Sequence, residues 1–236
     1  MVSVTRQALF GAAAAAAMLA SPAVHAEGID WAGGYLGIHA GGQFTTGRMT
    51  LVPGGYDTVF GPGSKPEATM SPDGFAGGAL AGYMARIGAS TFVGVELDVT
   101  GSTAKDTQIT SATVGWDASN RMKQEITGRA RARFGYAVGK LMPFIAGGVS
   151  VSRVSMDLDI DCFGQHYSDH TAKTLTGFNV GAGVEYAMSR HLRARLEYIF
   201  DGYGSPQLAT LKPDWNDRKF HNLRTSTVRV AVAYAF

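Results

Sequence analysis

From Val228 onward, large apolar side chains take every second position: Val228, Val230, Val232, Tyr234 and Phe236. Between them stand Thr227, Arg229, Ala231, Ala233 and Ala235. Period-two alternation predicts a strand with one apolar face and one polar or small face. This strand is the last element and stops on an aromatic residue. A soluble sheet rarely leaves such a strand as an unprotected edge. A barrel in lipid pairs its last strand with its first and has no edge to protect.

The same alternation recurs along the chain. Residues 31–44 set Leu36, Ile38, Ala40 and Phe44 against Tyr35, Gly37, His39, Gly41 and Gln43. Residues 75–87 put Ala79, Ala81, Tyr83 and Ala85 on one side, but the other side carries Leu80 and Met84, which breaks the polar pattern. Residues 92–100 alternate Val93, Val95, Leu97 and Val99 with Gly94, Glu96, Asp98 and Thr100. Residues 125–136 oppose Ile126, Gly128, Ala130, Ala132, Phe134 and Tyr136 to Glu125, Thr127, Arg129, Arg131, Arg133 and Gly135. Ile145, Val149 and Val151 face outward in residues 144–152. In residues 176–187, Phe178, Val180, Ala182, Val184 and Tyr186 oppose Asn179, Gly181, Gly183 and Glu185. In residues 192–201, Leu192, Ala194, Leu196, Tyr198 and Phe200 oppose Arg193, Arg195, Glu197 and Asp201.

With the C-terminal strand this makes about eight, the smallest common size for a closed outer-membrane barrel. The joins alternate in length. Short ones are expected around Gly88-Ala89-Ser90, Gly139-Lys140 and Ser189-Arg190-His191, and long polar stretches at 45–73, 101–123, 155–174 and 202–222. Short periplasmic turns opposite long external loops are the outer-membrane pattern. The predicted fold is therefore all-β, an eight-stranded antiparallel up-and-down transmembrane β-barrel with both termini on the periplasmic side. Pro53-Gly54-Gly55 and Pro62-Gly63 predict turns, so the first long loop is expected to extend its strands past the membrane. Trp31, Tyr35, Tyr136, Tyr186, Tyr234 and Phe236 fall near periplasmic strand ends, where an interfacial aromatic belt is expected.

The N-terminus supplies a route to that membrane. Residues 1–26 combine Arg6, an Ala-rich apolar run over 9–20, a Ser21-Pro22 break and small residues at Val24-His25-Ala26. This is the composition of a cleavable signal peptide, and the run is shorter than the roughly 20 residues a membrane helix needs. Residues 27–236 are then one mature barrel domain, with no periplasmic peptidoglycan-binding domain expected after its last strand. A formal net charge of +2 provides no electrostatic footprint for nucleic acid. Mean hydropathy is +0.01, as a barrel's averaging of lumen and lipid faces predicts. One cysteine, Cys162, permits no internal disulfide framework.

Charge placement is the most mechanistic signal. Arg129, Arg131, Arg133, Arg193, Arg195 and Arg229 share the polar face with Glu96, Asp98, Glu125, Glu185, Glu197 and Asp201. Facing lipid, each Arg near the midplane would cost about 2–4 kcal/mol. Facing a narrow lumen, the two signs can pair. Glycines 37, 41, 94, 135, 181 and 183 are expected to make room. A charge-lined pore and a packed polar core are both consistent with this pattern. The narrow interior of a barrel of about eight strands favours the packed core.

The motifs carry a family resemblance. Trp31-x-Gly33-x-Tyr35-x-Gly37, Gly82-Tyr83, Phe92 to Asp98 as FVGVELD, Arg131 to Tyr136 as RARFGY, Pro143 to Gly148 as PFIAGG, and Gly181 to Tyr186 as GAGVEY occur in order, with a terminal aromatic. Together they resemble the small porin-like outer-membrane β-barrel family of Gram-negative bacteria, similar in architecture to the membrane domain of outer membrane protein A. The resemblance covers essentially the whole mature chain. It implies localisation in the cell outer membrane and insertion by a barrel assembly machine that reads the last strand through Tyr234 and Phe236. It implies no enzyme and no cofactor. Outer-membrane lipids, lipopolysaccharide and periplasmic chaperones are the expected partners; the loops match nothing recognisable, so no loop partner follows.

Two loop motifs compete for a chemical role. Asp161, Cys162, His166, Asp169 and His170 form a C-x3-H-x3-H run that would suit a transition metal if helical. No strict metal motif is matched and ordinary polar-loop composition accounts for it better, so Cys162 reads as an exposed or capped free thiol able to form an intermolecular disulfide. His166-Tyr167-Ser168 resembles the H-x-S of barrel lipid A deacylases, where a His activates a Ser, but it falls in a loop rather than a lipid-facing strand. His39 reads as a lumenal hydrogen-bonder, and Gly147-Gly148 as strand packing, since no helix follows to cradle a phosphate. The expected function is a structural or surface-interaction barrel presenting four external loops. The alternatives are a small-solute channel and, behind it, a lipid A-modifying enzyme.

Overall fold

The computed structural model describes residues 29–52, 67–113, 116–162, 165–205, 207–209 and 217–236. The expected signal peptide, residues 1–26, and the Pro-Gly turns at 53–55 and 62–63 lie outside the described residues. The described residues form eleven strands: β1 (Gly33–Val52), β2 (Glu67–Met70), β3 (Asp73–Arg86), β4 (Thr91–Ser102), β5 (Lys105–Thr113), β6 (Trp116–Tyr136), β7 (Leu141–Cys162), β8 (Gln165–Ala187), β9 (Leu192–Gly204), β10 (Gln207–Ala209) and β11 (Asp217–Ala235). Eight of them, β1, β3, β4, β6, β7, β8, β9 and β11, pair antiparallel in sequence order. β11 closes on β1 from Tyr35↔Ala235 upward. The short β2, β5 and β10 continue β3, β4 and β9 beyond the barrel wall.

Closure staggers the strands. Following paired residues round the wall from Gln43 leads through Thr227, Ile199, Gly181, Ala146, Arg133, Gly94 and Met84 to Gly33. The circuit returns to β1 ten positions from its start, so the strands tilt steeply and the barrel is narrow.

The predicted outward positions form an apolar belt. Ile38 is 70% exposed and Val95 64%. Leu36, Leu97, Val99, Ile145, Val149, Val180, Leu196, Val228, Val230 and Val232 share that face. Contiguous exposure of this extent is stable only against hydrocarbon. Tyr83, Tyr186, Tyr234 and Phe236 rim its lower end. Trp31 and Tyr35 do not join them: at 2% and 3% exposure they fill the lumen rather than the interface. The turns at that end are short, as expected. Gly139, at φ 61, sits in the left-handed region that lets Val138 bridge Leu141 directly.

The described parts of the long joins are largely strand, which was expected of the first and not of the other three: β1 and β11 remain paired as far as Val52↔Asp217, and β7 and β8 as far as Cys162↔Gln165. Above the belt, the described pairings separate into two four-stranded sheets, β2–β1–β11–β10 and β5–β6–β7–β8. Only Asp73↔Lys105 pairs β3 with β5 between them, and β8 loses β9 above Phe178↔Gly202.

A second correction concerns Glu125. The β6–β7 register shifts between Gln124 and Ile126, so Glu125 is an extra residue on a bulge. Glu125 points outward, where it accepts a hydrogen bond from Ser155 at 3.0 Å and pairs with Arg153 at 3.4 Å. Gly148 plays the strand-packing part expected of it. A Cβ at Gly148 would collide with the Ala130 carbonyl and stand 2.8 Å from Arg131 Cα. Glycine there permits close strand approach on the concave face, rather than space for a side chain.

Two results should follow. The unboiled protein should migrate differently from the boiled protein on a denaturing gel, as a closed barrel resistant to detergent would. Gly148→Val should sharply reduce the unboiled form, because backbone cannot yield as a flexible side chain would.

Candidate functional site

The inward positions fall into layers. At the periplasmic end an apolar plug gathers Trp31, Tyr35, Leu80, Met84, Phe92, Met142, Ala187, Ala231, Ala233 and Ala235. This explains Leu80 and Met84, at 3% and 0% exposure: they belong to the plug, not to the polar lumen. Arg193 serves this end as well. It donates to the Asp30 carbonyl at 3.0 Å and lies 5.0 Å from the centre of the Trp31 ring. It thus fixes the segment that leads Trp31 into the barrel. The Asp30 carboxylate accepts from the Ala32 amide and from Arg86, each at 3.0 Å. The Ala32 hydrogen bond, with help from Arg86, holds that carboxyl below the usual carboxylate range.

Above the plug lies a layer of ion pairs. Glu96 on β4 is its centre. It accepts from Tyr35 Oη at 2.7 Å, from Arg195 at 2.7 Å, from Arg133 at 3.2 Å, and from Arg131. Arg131 reaches the opposite wall at Glu197, 2.6 Å away. Glu185 accepts from Arg133 at 2.9 Å and from Arg195 Nε at 2.7 Å. Arg229 donates to Glu197 at 3.0 Å and approaches Asp98 at 3.4 Å. Arg129 joins Asp98 at 3.0 Å and grips Asp201 through two bonds of 2.9 and 2.8 Å. The side chains of these ion pairs are 0–2% exposed. Phe144 supports the layer from below, with Arg133 4.0 Å and Arg195 5.2 Å from its ring centre.

All ten residues named from the sequence, Glu96, Asp98, Arg129, Arg131, Arg133, Glu185, Arg193, Arg195, Glu197 and Arg229, are buried inside the barrel. Nine meet in one network; among the described contacts Arg193 stands apart at the plug. Asp201 and Tyr35 belong to the network too. Asp201 shows in the alternation, whereas the role of Tyr35 depends on reaching Glu96 across 61 residues of sequence. His39 lies beside Thr100, with Nε2 3.4 Å from its hydroxyl.

Higher still, a neutral belt crosses the lumen. Thr45 and Thr225 donate to Gln124 Oε1 at 3.1 and 3.3 Å, and Gln124 Nε2 donates to Thr127 at 3.1 Å and Ser152 at 3.0 Å. Buried Met122, Val154, Met156 and Leu175 lie beyond it.

The two loop motifs lie on the β7–β8 extension. The described residues of the C-x3-H-x3-H run are paired strand: Cys162 pairs with Gln165, His166 with Asp161, and His170 with Asp157. They do not form the helical turn that the metal reading required. His170 Nδ1 meets Asp157 at 2.6 Å, with Lys123 3.5 Å away. The His170 hydrogen bond, then Lys123, keep the Asp157 carboxyl below its ordinary range. His166 and Ser168 are both exposed, and Ser168 precedes the belt residue Phe178 by ten positions.

The family described as "Outer membrane protein beta-barrel domain" matches residues 11–236. The chain is similar to the 31 kDa outer-membrane immunogenic protein of Brucella melitensis, at 30% identity over 92% of this chain and 88% of that protein. It is also similar to the 25 kDa outer-membrane immunogenic protein of Brucella abortus, at 24% identity over 92% and 84%. Among solved structures, OprG of Pseudomonas aeruginosa shares the fold at TM-score 0.56 and 13% identity, covering 89% of this chain and 100% of that one.

Removing one member of a buried network strands its partners' charge, which costs about 3–5 kcal/mol. Glu96→Ala should lower barrel stability by this order, read as the urea midpoint in detergent micelles. Arg193→Ala, outside the network, should cost clearly less.

Proposed function

The chain belongs to the outer membrane protein beta-barrel domain family and resides in the cell outer membrane, and from that premise we propose that it is a structural barrel which displays its paired extensions at the cell surface and does not conduct solutes. One observation carries this reading: Arg131 joins Glu96 on one wall to Glu197 on the other. The surrounding ion pairs fill the cross-section with side chains that solvent does not reach. The apolar plug beneath supports the same reading. Two relatives are named as immunogenic proteins. Carried to this chain, that property belongs to the β2–β1–β11–β10 and β5–β6–β7–β8 sheets, the parts that rise beyond the lipid belt.

Several partners belong to the proposal. Residues 1–26 direct export and are removed. Periplasmic chaperones deliver the chain, and the assembly machinery reads Tyr234 and Phe236, whose rings lie on the lipid face at 51% and 70% exposure. Outer-membrane lipid and lipopolysaccharide then surround the belt. The role is non-enzymatic: His166 and Ser168 stand above the belt, away from an acyl chain.

In a planar bilayer the purified barrel should give no sustained single-channel current. Regular unitary steps at neutral pH would overturn the closed-lumen reading and favour the small-solute channel. Ser168→Ala should leave lipid A composition unchanged; a change in its acylation would restore the enzymatic alternative.

A further inference from the structure

Above the lipid belt, β8 has a strand neighbour on one side only. It pairs with β7 as far as Cys162↔Gln165, but its pairing with β9 begins at Phe178↔Gly202. Thirteen residues, Gln165 through Gly177, therefore present a backbone edge that no described strand covers. The other sheet margins are shorter: β2 has four residues, β10 three and β5 nine. A long free edge is ordinarily guarded by a proline or a bulge. This one contains no proline, and its register against β7 runs without a shift. At roughly 3.3 Å per residue it extends about 40 Å along the strand.

The edge is complementary to itself. Thr171 is the midpoint of the thirteen residues. Set antiparallel to a second copy about a two-fold axis at Thr171, the strand brings Asp169 opposite Lys173 of the copy, and Lys173 opposite Asp169. Thr171 meets its own counterpart, and His170, Ser168 and His166 stand opposite Ala172, Thr174 and Thr176. Opposite charges and paired threonines directly across a ladder are stabilising. An axis at His170 or Ala172 loses both ion pairs, because Asp169 then faces Thr171 or Leu175. A lysine on an edge strand is otherwise a guard against association. Lys173 admits a partner that sets a carboxylate in register with it, and a copy of the same strand does so. His166, Ser168, His170, Ala172, Thr174 and Thr176, which share one face, are all exposed.

Membrane geometry then fixes where the copy stands. Two barrels in one membrane are related by rotation about the membrane normal, so both β8 strands descend from tip to lipid and cannot run antiparallel. A two-fold axis perpendicular to an upright sheet lies parallel to the membrane plane, and it relates barrels in two facing membranes. Taking the surface-display reading as given, we propose that the upper edge of β8 docks a second copy of this chain across apposed outer membranes. The β5–β6–β7–β8 sheet and its counterpart then form one continuous sheet. Main-chain hydrogen bonds supply the adhesion, and the two Asp169–Lys173 pairs fix the register. The contact is isologous, so it closes at two copies and tethers two membranes without growing into a fibre.

Clustering of phosphatidylcholine vesicles that carry the purified barrel, free of lipopolysaccharide, tests this. Wild-type vesicles should cluster. Vesicles carrying Asp169→Lys or Lys173→Asp protein should cluster about tenfold less with their own kind, because like charges then stand opposite at both ends. Mixing the two variants should restore clustering, since one supplies both carboxylates and the other both ammonium groups; that rescue also shows both to be folded. Wild-type vesicles that stay dispersed would overturn the edge, as would single variants that cluster like wild type. A mixture that stays dispersed, although both variants give the unboiled gel form, overturns it too. Labelling of Cys162→Ala/Ser168→Cys protein on intact cells with a membrane-impermeant maleimide separates this from the display reading. Labelled cells with dispersed vesicles sink the edge and leave surface display standing, whereas unlabelled cells sink both.

Discussion

In hydrocarbon there is no water to satisfy a peptide group, so every backbone N–H and C=O of a spanning sheet must find a partner on another strand. The pairing of β11 with β1 meets that condition, and the rest of the interior depends on it. Closure with eight strands and a ten-residue stagger leaves a lumen that side chains can fill. Once the lumen is that narrow, an inward charge has no bulk water to hold it. Five of the inward arginines, Arg129, Arg131, Arg133, Arg195 and Arg229, therefore need carboxylates, and Glu96, Asp98, Glu185, Glu197 and Asp201 provide them from β4, β8 and β9.

The arrangement of that pairing matters more than its number. A buried ion pair is often no more stable than an apolar replacement, since desolvation offsets attraction. What the network adds is cross-linking between walls. Arg131 ties β6 to β4 and β9, and Arg195 ties β9 to β4 and β8. Such ties oppose flattening of the barrel, which strand pairing alone does not. The apolar plug complements them at the mouth, where Trp31, Met84 and Met142 gather in one cluster and Arg193 lies against the Trp31 ring.

Much of this was legible because a strand has only two faces. Once alternation assigns Val95 and Leu97 to lipid, Glu96 and Asp98 must face inward, and no three-dimensional information is needed. The reading failed where that parity breaks or where it is silent. The bulge at Glu125 turns one carboxylate outward, and nothing in the local residue types announces it. Parity places Tyr35 inward, but expecting interfacial aromatics at strand ends put it in the wrong company. Trp31 precedes β1 and obeys no alternation; its burial depends on Arg193 from a distant strand. Leu80 and Met84 looked like errors only because a lumen was assumed polar throughout.

The three later long joins were misread for a related physical reason. Polar composition usually signals loop, yet above the lipid both faces of a strand may be wet, so polarity stops distinguishing strand from loop. The constraint that closes the barrel ends at the same height. Water can satisfy free strand edges there, so the wall is released from pairing all the way round, and its described pairings separate into β2–β1–β11–β10 and β5–β6–β7–β8. Inside the membrane nearly every side chain is bound to a neighbour or to lipid, whereas the separated sheets carry exposed polar faces such as His166, Ser168 and His170 on β8. The hydrogen-bond requirement that makes the barrel rigid is thus what leaves its upper part free to vary in sequence. The proposed surface-display role draws on the place where that requirement stops.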